Sequence, residues 1–321
     1  MRILVTGGAG FIGSHLCQRL IDDGHAVTVI DNFSTGRAAN LAKLDGVDGF
    51  TLIRGSILDS LLLTPLINEA DYVFHLAAAV GVFNIVNNPL ASLLTNIRGT
   101  ENVLEAAYTA KAPVFLTSSS EVYGKNISDS LKESDDRILG SPVTLRWSYS
   151  EAKAIDESLA YAYYVEKQLE TRIVRFFNTI GPRQLGAYGM VVPRFVKAAL
   201  ANEPITIYGD GNQTRCFAHV YDVVDAVLAI AFADNTIGKV VNIGNNFEIS
   251  INGLAKKIIE ETGSKSEIVY VPYEEAYGEG FEDMERRVPN IDLIYQLVGW
   301  KPKRDLSMMI ADISIDMNIG S

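Results

Sequence analysis

Tyr149 and Lys153 stand four residues apart in YSEAK, and in a helix that spacing puts a phenol and an ammonium on one face about one turn apart. A phenol normally ionises near pH ~10, and a neighbouring positive charge lowers that value toward neutrality, so Tyr149 could take a proton from a hydroxyl. Upstream, VFLTSSSEVYG sets Ser118, Ser119, Ser120 and Glu121 just beyond a predicted strand. That is the carboxyl edge, where open parallel sheets bind ligands. Taken singly, the pair also fits a surface aromatic beside a lysine, and the serines fit a turn.

The segment TGGAGFIG at 6–13 lies between a strand-like ILVT and a helix-like SHLCQRLIDD. Gly7 permits a tight turn, Gly10 lets backbone approach a pyrophosphate, and Gly13 lets helix pack on strand. Phosphates would face the amides and positive end of a helix expected from roughly residue 12 to 23. A second apolar strand, AVTVI, ends in Asp31, about 20 residues beyond the glycines, where an acidic side chain accepts hydrogen bonds from ribose hydroxyls. Asp31 would repel a 2′-phosphate, so the pattern points to NAD over NADP. The positive nicotinamide would add to Lys153 in lowering the Tyr149 phenol.

The elements that must position these groups alternate. ILVT, AVTVI, TLIR, YVFHLA, VFLTS and RIVRFF are short apolar strands separated by amphipathic helices, the pattern of a parallel sheet covered on both faces. Ile12, Leu16 and Leu20 form one helical stripe, and Gly24 sits where a C-terminal cap belongs. Past Asn178 the chain turns to loops rich in Gly, Pro and Arg, GPRQLGAYGM and YGDGNQTR, which suit a site more than a core. KVVNIG reads as a strand returning to the first sheet, and Ser250 as the cap of INGLAKKIIEETG. The expected fold is α/β: a doubly wound Rossmann-type parallel sheet over 1–178 plus about 217–247, with a smaller discontinuous α/β substrate domain over about 179–216 plus 248–321.

The 321 residues are 48% hydrophobic and 21% charged, enough to bury a substantial core. The net charge of −11 opposes general attraction to nucleic acid or an anionic membrane surface. An anionic substrate must therefore meet locally placed Arg or Lys. Cys17 and Cys216 lie far apart with no Cys/His cluster, so neither a disulfide nor a metal site is expected. With no apolar run long enough for a membrane span and a core strand at the start, a cytoplasmic location is expected.

TGGAGFIG, DNFSTG, HLAA, SSSEVYG, YSEAK, FFNTIGPRQ, YGDGNQTRCF and LVGWKP together resemble the extended short-chain dehydrogenase/reductase family that modifies nucleotide-diphosphate sugars. The resemblance covers nearly the whole chain. It implies a tightly held NAD that oxidises a sugar at C4, with Tyr149 as base, Lys153 as its modulator and ribose ligand, and Ser119 or Ser120 as the hydroxyl partner at the sugar. The implied cofactor contacts run from the glycine turn with Phe11 and Ile12 to Asp31, Asn32, Ser34 and Gly36. They continue through Ser56 and Ile57, then Leu76, Ala77, Ala78 and Asn96. Family members often carry Asp in the segment corresponding to GSILD, whereas this chain has Ser56, with Asp59 three residues later. On the substrate side, Asn178, Arg215 and Arg287 would hold the diphosphate, Val192 and Arg194 would line the site, and Tyr208 would lie near the base. Arginine suits a diphosphate on so acidic a protein.

Ser120-Glu121 before Val122-Tyr123 resembles the S-T-S-E-V-Y-G of UDP-glucuronate decarboxylases. RWSYSEAK and ERRVPNI resemble their R-x-x-Y-x-E-x-K and R-K-P-D-I. The resemblance therefore implies decarboxylation of UDP-glucuronate to UDP-xylose or the 4-ketopentose, with Ser120 and Glu121 placing the carboxylate and Glu121 repelling it. A UDP-sugar 4-epimerase, a 4,6-dehydratase with Glu121 as C5 base, and a noncatalytic NAD-binding regulator are the alternatives. The family also implies a homodimer, commonly through a four-helix contact.

Overall fold

The computed structural model describes every residue except 82–84, 86, 187–189, 273–274, 276–285 and 320–321. Among the described residues, one seven-stranded sheet organises the chain. Its strands are β1 (Arg2–Thr6), β2 (Ala26–Asp31), β3 (Phe50–Arg54), β4 (Tyr72–His75), β5 (Val114–Ser119), β6 (Thr171–Phe176) and β11 (Val240–Ile243). The spatial order is β11-β6-β5-β4-β1-β2-β3, and every pairing is parallel. All the strands expected from the apolar runs are present. The strand order reverses between β1 and β4, so the loops after their carboxyl ends diverge and leave a crevice for a ligand.

Alternation along the strands divides the interior into two cores, because successive side chains leave opposite faces of a strand. Ile3, Val5, Val29, Phe74, Phe115 and Val174 share one core with Leu16 and Leu20 of the helix Phe11–Asp22. Leu4, Ile30, Val73, Leu116 and Ile173 enter the other with Val103 and Leu104 of the helix Pro89–Ala110. Gly24 follows the first helix at φ 82, where a residue with a Cβ would be strained.

A third core joins Val192 and Phe195 of the helix Val191–Leu200, Leu254 and Ile258 of the helix Ile251–Thr262, and Ile310 and Ile313 of the helix Leu306–Ile319. Ser250 caps its helix by accepting a hydrogen bond from Gly253 N at 3.0 Å. β7 (Thr179–Ile180) pairs with β10 (Ala218–His219), β8 (Ile205–Tyr208) with β13 (Ile268–Val271), and β9 (Thr214–Cys216) with β12 (Glu248–Ser250). The expected division placed all of 248–321 with this unit. Ile294 and Trp300 instead pack in the core of the first sheet, and Trp300 Nε1 donates to Asp222 O at 3.0 Å. We therefore propose a two-unit division in which the stretch around 291–300 belongs with the sheet.

A tight backbone approach lies at the glycine turn. A Cβ on Gly13 would fall 2.3 Å from Gly7 O, where only the absence of a side chain allows helix and turn to meet. Gly13→Ala forces turn and helix apart, and overpacking of this kind costs about 1–3 kcal/mol. The expected result is a lower urea midpoint at unchanged slope, and an unchanged midpoint would show that the contact bears no such load.

Candidate active site

The loops at the carboxyl edge of the sheet and the third core enclose a cavity of about 540 Å³, within the usual range for ligand sites. Its dinucleotide end begins at Gly7, which has φ 73 and lies so close to Ala77 that a Cβ would stand 2.6 Å from Ala77 N. A Cβ on Gly10 would meet nothing nearer than Gly7 O at 3.1 Å, so the backbone there is open to a pyrophosphate. Asp31, 7% exposed, accepts hydrogen bonds from Ala9 N at 2.9 Å through Oδ2 and from Phe33 N at 2.8 Å through Oδ1. Burial raises its pKa, while these two amides pull the other way. The remaining lone pairs can accept ribose hydroxyls, so turn and acid together fit a dinucleotide with a free 2′-hydroxyl.

Phe11, Ile12, Gly13, Asn32, Ser34, Ile57, Leu76, Ala77 and Ala78 line the cavity as expected, whereas Gly36, Ser56 and Asn96 do not. Gly36 serves a close approach, since its Cβ would stand 2.9 Å from Ala9 C. Ser56 Oγ accepts from Leu58 N at 3.2 Å, within its own turn. Asn96 Oδ1 accepts from Ala79 N at 2.7 Å and its Nδ2 donates to Ala79 O at 3.3 Å, so it fastens the loop beyond Ala78 instead of facing a ligand.

At the centre of the cavity the helix Ser148–Lys167 presents Tyr149 and Lys153 toward the end of β5. Burial, then the charges of Glu121 and Asp156, raise the pKa of the Tyr149 phenol, while the nearby Ser119 side chain acts to lower it. Lys153, 2% exposed, donates to Thr117 O at 3.0 Å and Asp156 Oδ2 at 3.2 Å. The expected lowering of the phenol by Lys153 is thus opposed within the protein by two carboxylates. Ser118, expected beside the other serines, donates to Glu157 Oε1 at 2.5 Å, and Arg175 Nη2 pairs with Glu157 Oε2 at 2.8 Å. This buried pair anchors the catalytic helix to β5 and β6.

Glu121 follows β5 on the 3-10 turn Ser120–Tyr123 and lies between two arginines. Arg146 Nη1 reaches Glu121 Oε2 at 2.6 Å, Arg287 Nη2 reaches Oε1 at 2.8 Å, and each arginine side chain is only 7% exposed. Arg287 Nη1 also donates to Ser120 Oγ at 3.2 Å. Burial pushes the Glu121 carboxyl up, but Arg287 and Arg146 outweigh it and hold the group at about 2. Since an unfolded glutamate titrates near ~4.3, the cluster stabilises the fold above that pH and loses this contribution as pH falls through about 2. Arg287 is delivered by pairing of Leu131 with the chain at 288–290, with Leu131 N donating to Val288 O and Asn290 N to Leu131 O, each at 2.8 Å. It therefore stands with Ser120 and Glu121, and we propose a place for it at the sugar instead of on the diphosphate expected from the resemblance.

Asn178, Val192, Arg194, Tyr208 and Arg215 line the other end. Asn178 Nδ2 donates to Cys216 O at 3.0 Å, and the Arg194 guanidinium stacks on the Tyr208 ring at 4.2 Å. Arg146, Arg183, Gln184 and Gln213 also line the cavity and were not singled out from sequence. Arg146 precedes Tyr149 by one helical turn in RWSY, and that spacing was the available signal.

The sequence pattern of the NAD dependent epimerase/dehydratase family matches residues 3–244. The chain belongs to this family. It is 42% identical to the UDP-N-acetyl-alpha-D-glucosaminuronate decarboxylase of Bacillus cytotoxicus, over 94% of this chain and 92% of that one. It is 39% identical to UDP-glucuronic acid decarboxylase 1 of Xenopus tropicalis, over 94% of this chain and 68% of that one. The UDP-glucuronic acid 4-epimerase of Bacillus cereus, solved in complex with UDP-glucuronic acid and NAD, superposes with a TM-score of 0.90 at 30% identity, covering both chains fully. The protein is an NAD-dependent enzyme of nucleotide-sugar metabolism with a Rossmann-type fold.

Tyr149→Phe keeps the ring and removes the ionisable oxygen, and Lys153→Met removes the ammonium. Both should slow formation of enzyme-bound NADH from a nucleotide sugar at least about tenfold, followed by absorbance at 340 nm, because general-base contributions are of that size or larger. Near-normal NADH formation by folded Tyr149→Phe protein would require another base.

Proposed function

We propose that the protein oxidises C4 of a UDP-linked uronate and removes its C5 carboxyl group as carbon dioxide. The observation that carries this reading is the Arg146–Glu121–Arg287 cluster. The cluster sets two guanidinium groups beside Ser120 in a buried part of the cavity. Charge-assisted hydrogen bonds from such donors suit a carboxylate on C5 better than a hydroxymethyl group. Glu121 alone would repel that carboxylate, as expected from sequence. Flanked by two arginines, it orders guanidinium donors there instead.

Bound NAD supplies the hydride acceptor and, once reduced, the donor. Tyr149 takes the proton from O4 as hydride leaves C4, and Ser119, which lines the same cavity and acts on the phenol, is assigned to hold O4. The product of this step is a β-keto acid. Its C5–C6 bond can break with the electron pair moving into the C4 carbonyl, carbon dioxide leaving, and C5 then gaining a proton. Hydride return to C4 would give a UDP-pentose. Glu121, held at about 2, stays ionised at neutral pH and does not suit the C5 base of a 4,6-dehydratase.

Arg215 and Asn178 are assigned to the diphosphate, and Tyr208 with Arg194 to the base. The identity to two decarboxylases supports the reaction, and the match to a UDP-glucuronic acid 4-epimerase makes epimerisation of the same uronate the second reading. Exposed Leu90, Tyr108, Ile155, Tyr161 and Val165 on the packed helices Pro89–Ala110 and Ser148–Lys167 support a homodimer through those helices. A cytoplasmic location agrees with two free, buried cysteines. No helix among the described residues is long and apolar enough to cross a membrane.

UDP-glucuronate and its 2-acetamido counterpart should be incubated with the protein, with products followed by NMR and carbon dioxide by trapping. At least one should release carbon dioxide and give a UDP-pentose or its 4-ketone. Glu121→Ala should slow carbon dioxide loss more than C4 oxidation. Conversion of the uronate to its C4 epimer with every carbon retained would replace decarboxylation with the second reading.

A further inference from the structure

Asp156 is a second acidic group in the catalytic helix that the reaction outlined above does not use. It is 0% exposed and lies one turn beyond Lys153, with Oδ2 3.2 Å from Lys153 Nζ. Burying a carboxylate is costly unless a partner holds it; Lys153 holds Oδ2, while Oδ1 has no hydrogen-bond partner among the described residues. Burial raises the pKa of this carboxyl, while Lys153 and then Thr100, on the neighbouring helix Pro89–Ala110, act to lower it.

Thr100 in turn leads back to the dinucleotide end of the cavity. Its Oγ1 is 3.1 Å from His75 Nε2, His75 Nδ1 is 2.7 Å from Thr6 Oγ1, and Thr6 Oγ1 accepts from Ala77 N at 3.2 Å. Burial, reinforced by Lys153, lowers His75 to about 3, so its ring is neutral.

The charged groups around the pair are few. On the same helix are Lys153 and Glu157, and Glu157 is neutralised by Arg175 of β6 and accepts from Ser118 of β5. Neutral His75 of β4 and Thr100 complete the surroundings of Asp156, while Glu121 acts on Tyr149 from the turn after β5. Lys153 is thus not an uncompensated ammonium beside the phenol.

We propose that Asp156 is a positioning residue of the hydride-transfer site, a buried counter-charge that fixes the Lys153 ammonium and offsets its pull on the Tyr149 phenol. Lys153 favours loss of the phenolic proton, and Asp156 opposes it, so the pair sets how readily Tyr149 both takes a proton and returns it. A two-way hydride transfer needs both directions, and the inference in that respect rests on the C4-oxidation reading above.

The test is the isosteric Asp156→Asn variant, with tyrosine labelled by 13C at Cζ and NAD bound. The Tyr149 resonance is identified by its loss in Tyr149→Phe, and its titration is compared with that of the unaltered protein. Removing one charge at an effective dielectric near ~20 should lower the midpoint by on the order of one pH unit. The acid limb of NADH formation from UDP-glucuronate should move to lower pH in the same sense. An unchanged or raised midpoint in folded Asp156→Asn protein overturns the inference, and Asp156→Ser provides the same comparison should the asparagine variant not fold. The NMR titration needs no substrate. Failure of UDP-glucuronate to react would therefore count against the proposed reaction, while the Tyr149 midpoint would still decide the role of Asp156.

Discussion

Three buried charges tie together parts of the chain that are remote in sequence. Glu121 extends from the turn after β5, Arg146 from the approach to the catalytic helix, and Arg287 from the C-terminal region, and they meet within 2.6–2.8 Å. Taking such ions from water is expensive, so each depends on the others remaining in place. Loss of one arginine would leave the carboxylate half-neutralised, and loss of the glutamate would leave two cations facing each other. The same contacts close the sugar end of the cavity and orient Ser120. Its shape and its arginine lining therefore share one origin.

A second set of buried charges works on the opposite side of Tyr149. Lys153 is held by Thr117 O and Asp156, and the Arg175–Glu157 pair keeps the helix registered on the sheet. One carboxylate from each set, Glu121 and Asp156, thus acts on the phenol, opposed by the nearby Ser119 side chain. In a site of low dielectric, small changes in either cluster move proton affinity more than they would in water. This arrangement explains why a tyrosine whose own surroundings hold it protonated can still serve a reversible proton transfer once a positive nicotinamide lies nearby.

Much of the sheet was legible because local rules and tertiary demand agree. Ile3, Leu4 and Val5 form a strand buried on both faces, so a continuous apolar run was the right signal, and Gly7 and Gly13 stand where a Cβ would collide with backbone. Asp31 was legible for the same reason, as an acid at the end of a strand beside a glycine turn. Groups defined by long-range contact were harder to read. Arg287 was recognised as a ligand-side arginine but placed on the diphosphate, since nothing local reveals that Leu131 pairs with the chain beside it. Asn96 and Gly36 sit one step behind the residues they were grouped with, supporting backbone that lines the cavity. Asp156 was passed over because a charged residue in a helix ordinarily reads as part of a solvated face, and Arg146, though the first residue of the R-x-x-Y match, was given no role of its own. Only the packed structure shows them buried.

The central claim is that the arginines at the sugar end select an anionic C5 group. Calorimetric binding to the NAD-loaded Tyr149→Phe protein tests it without turnover, comparing UDP-glucuronate with UDP-glucose at neutral pH. A charge-assisted hydrogen bond contributes about 1.5–3 kcal/mol, so UDP-glucuronate should bind at least about tenfold more tightly. Equal affinity for the two sugars, or preference for UDP-glucose, would contradict the account.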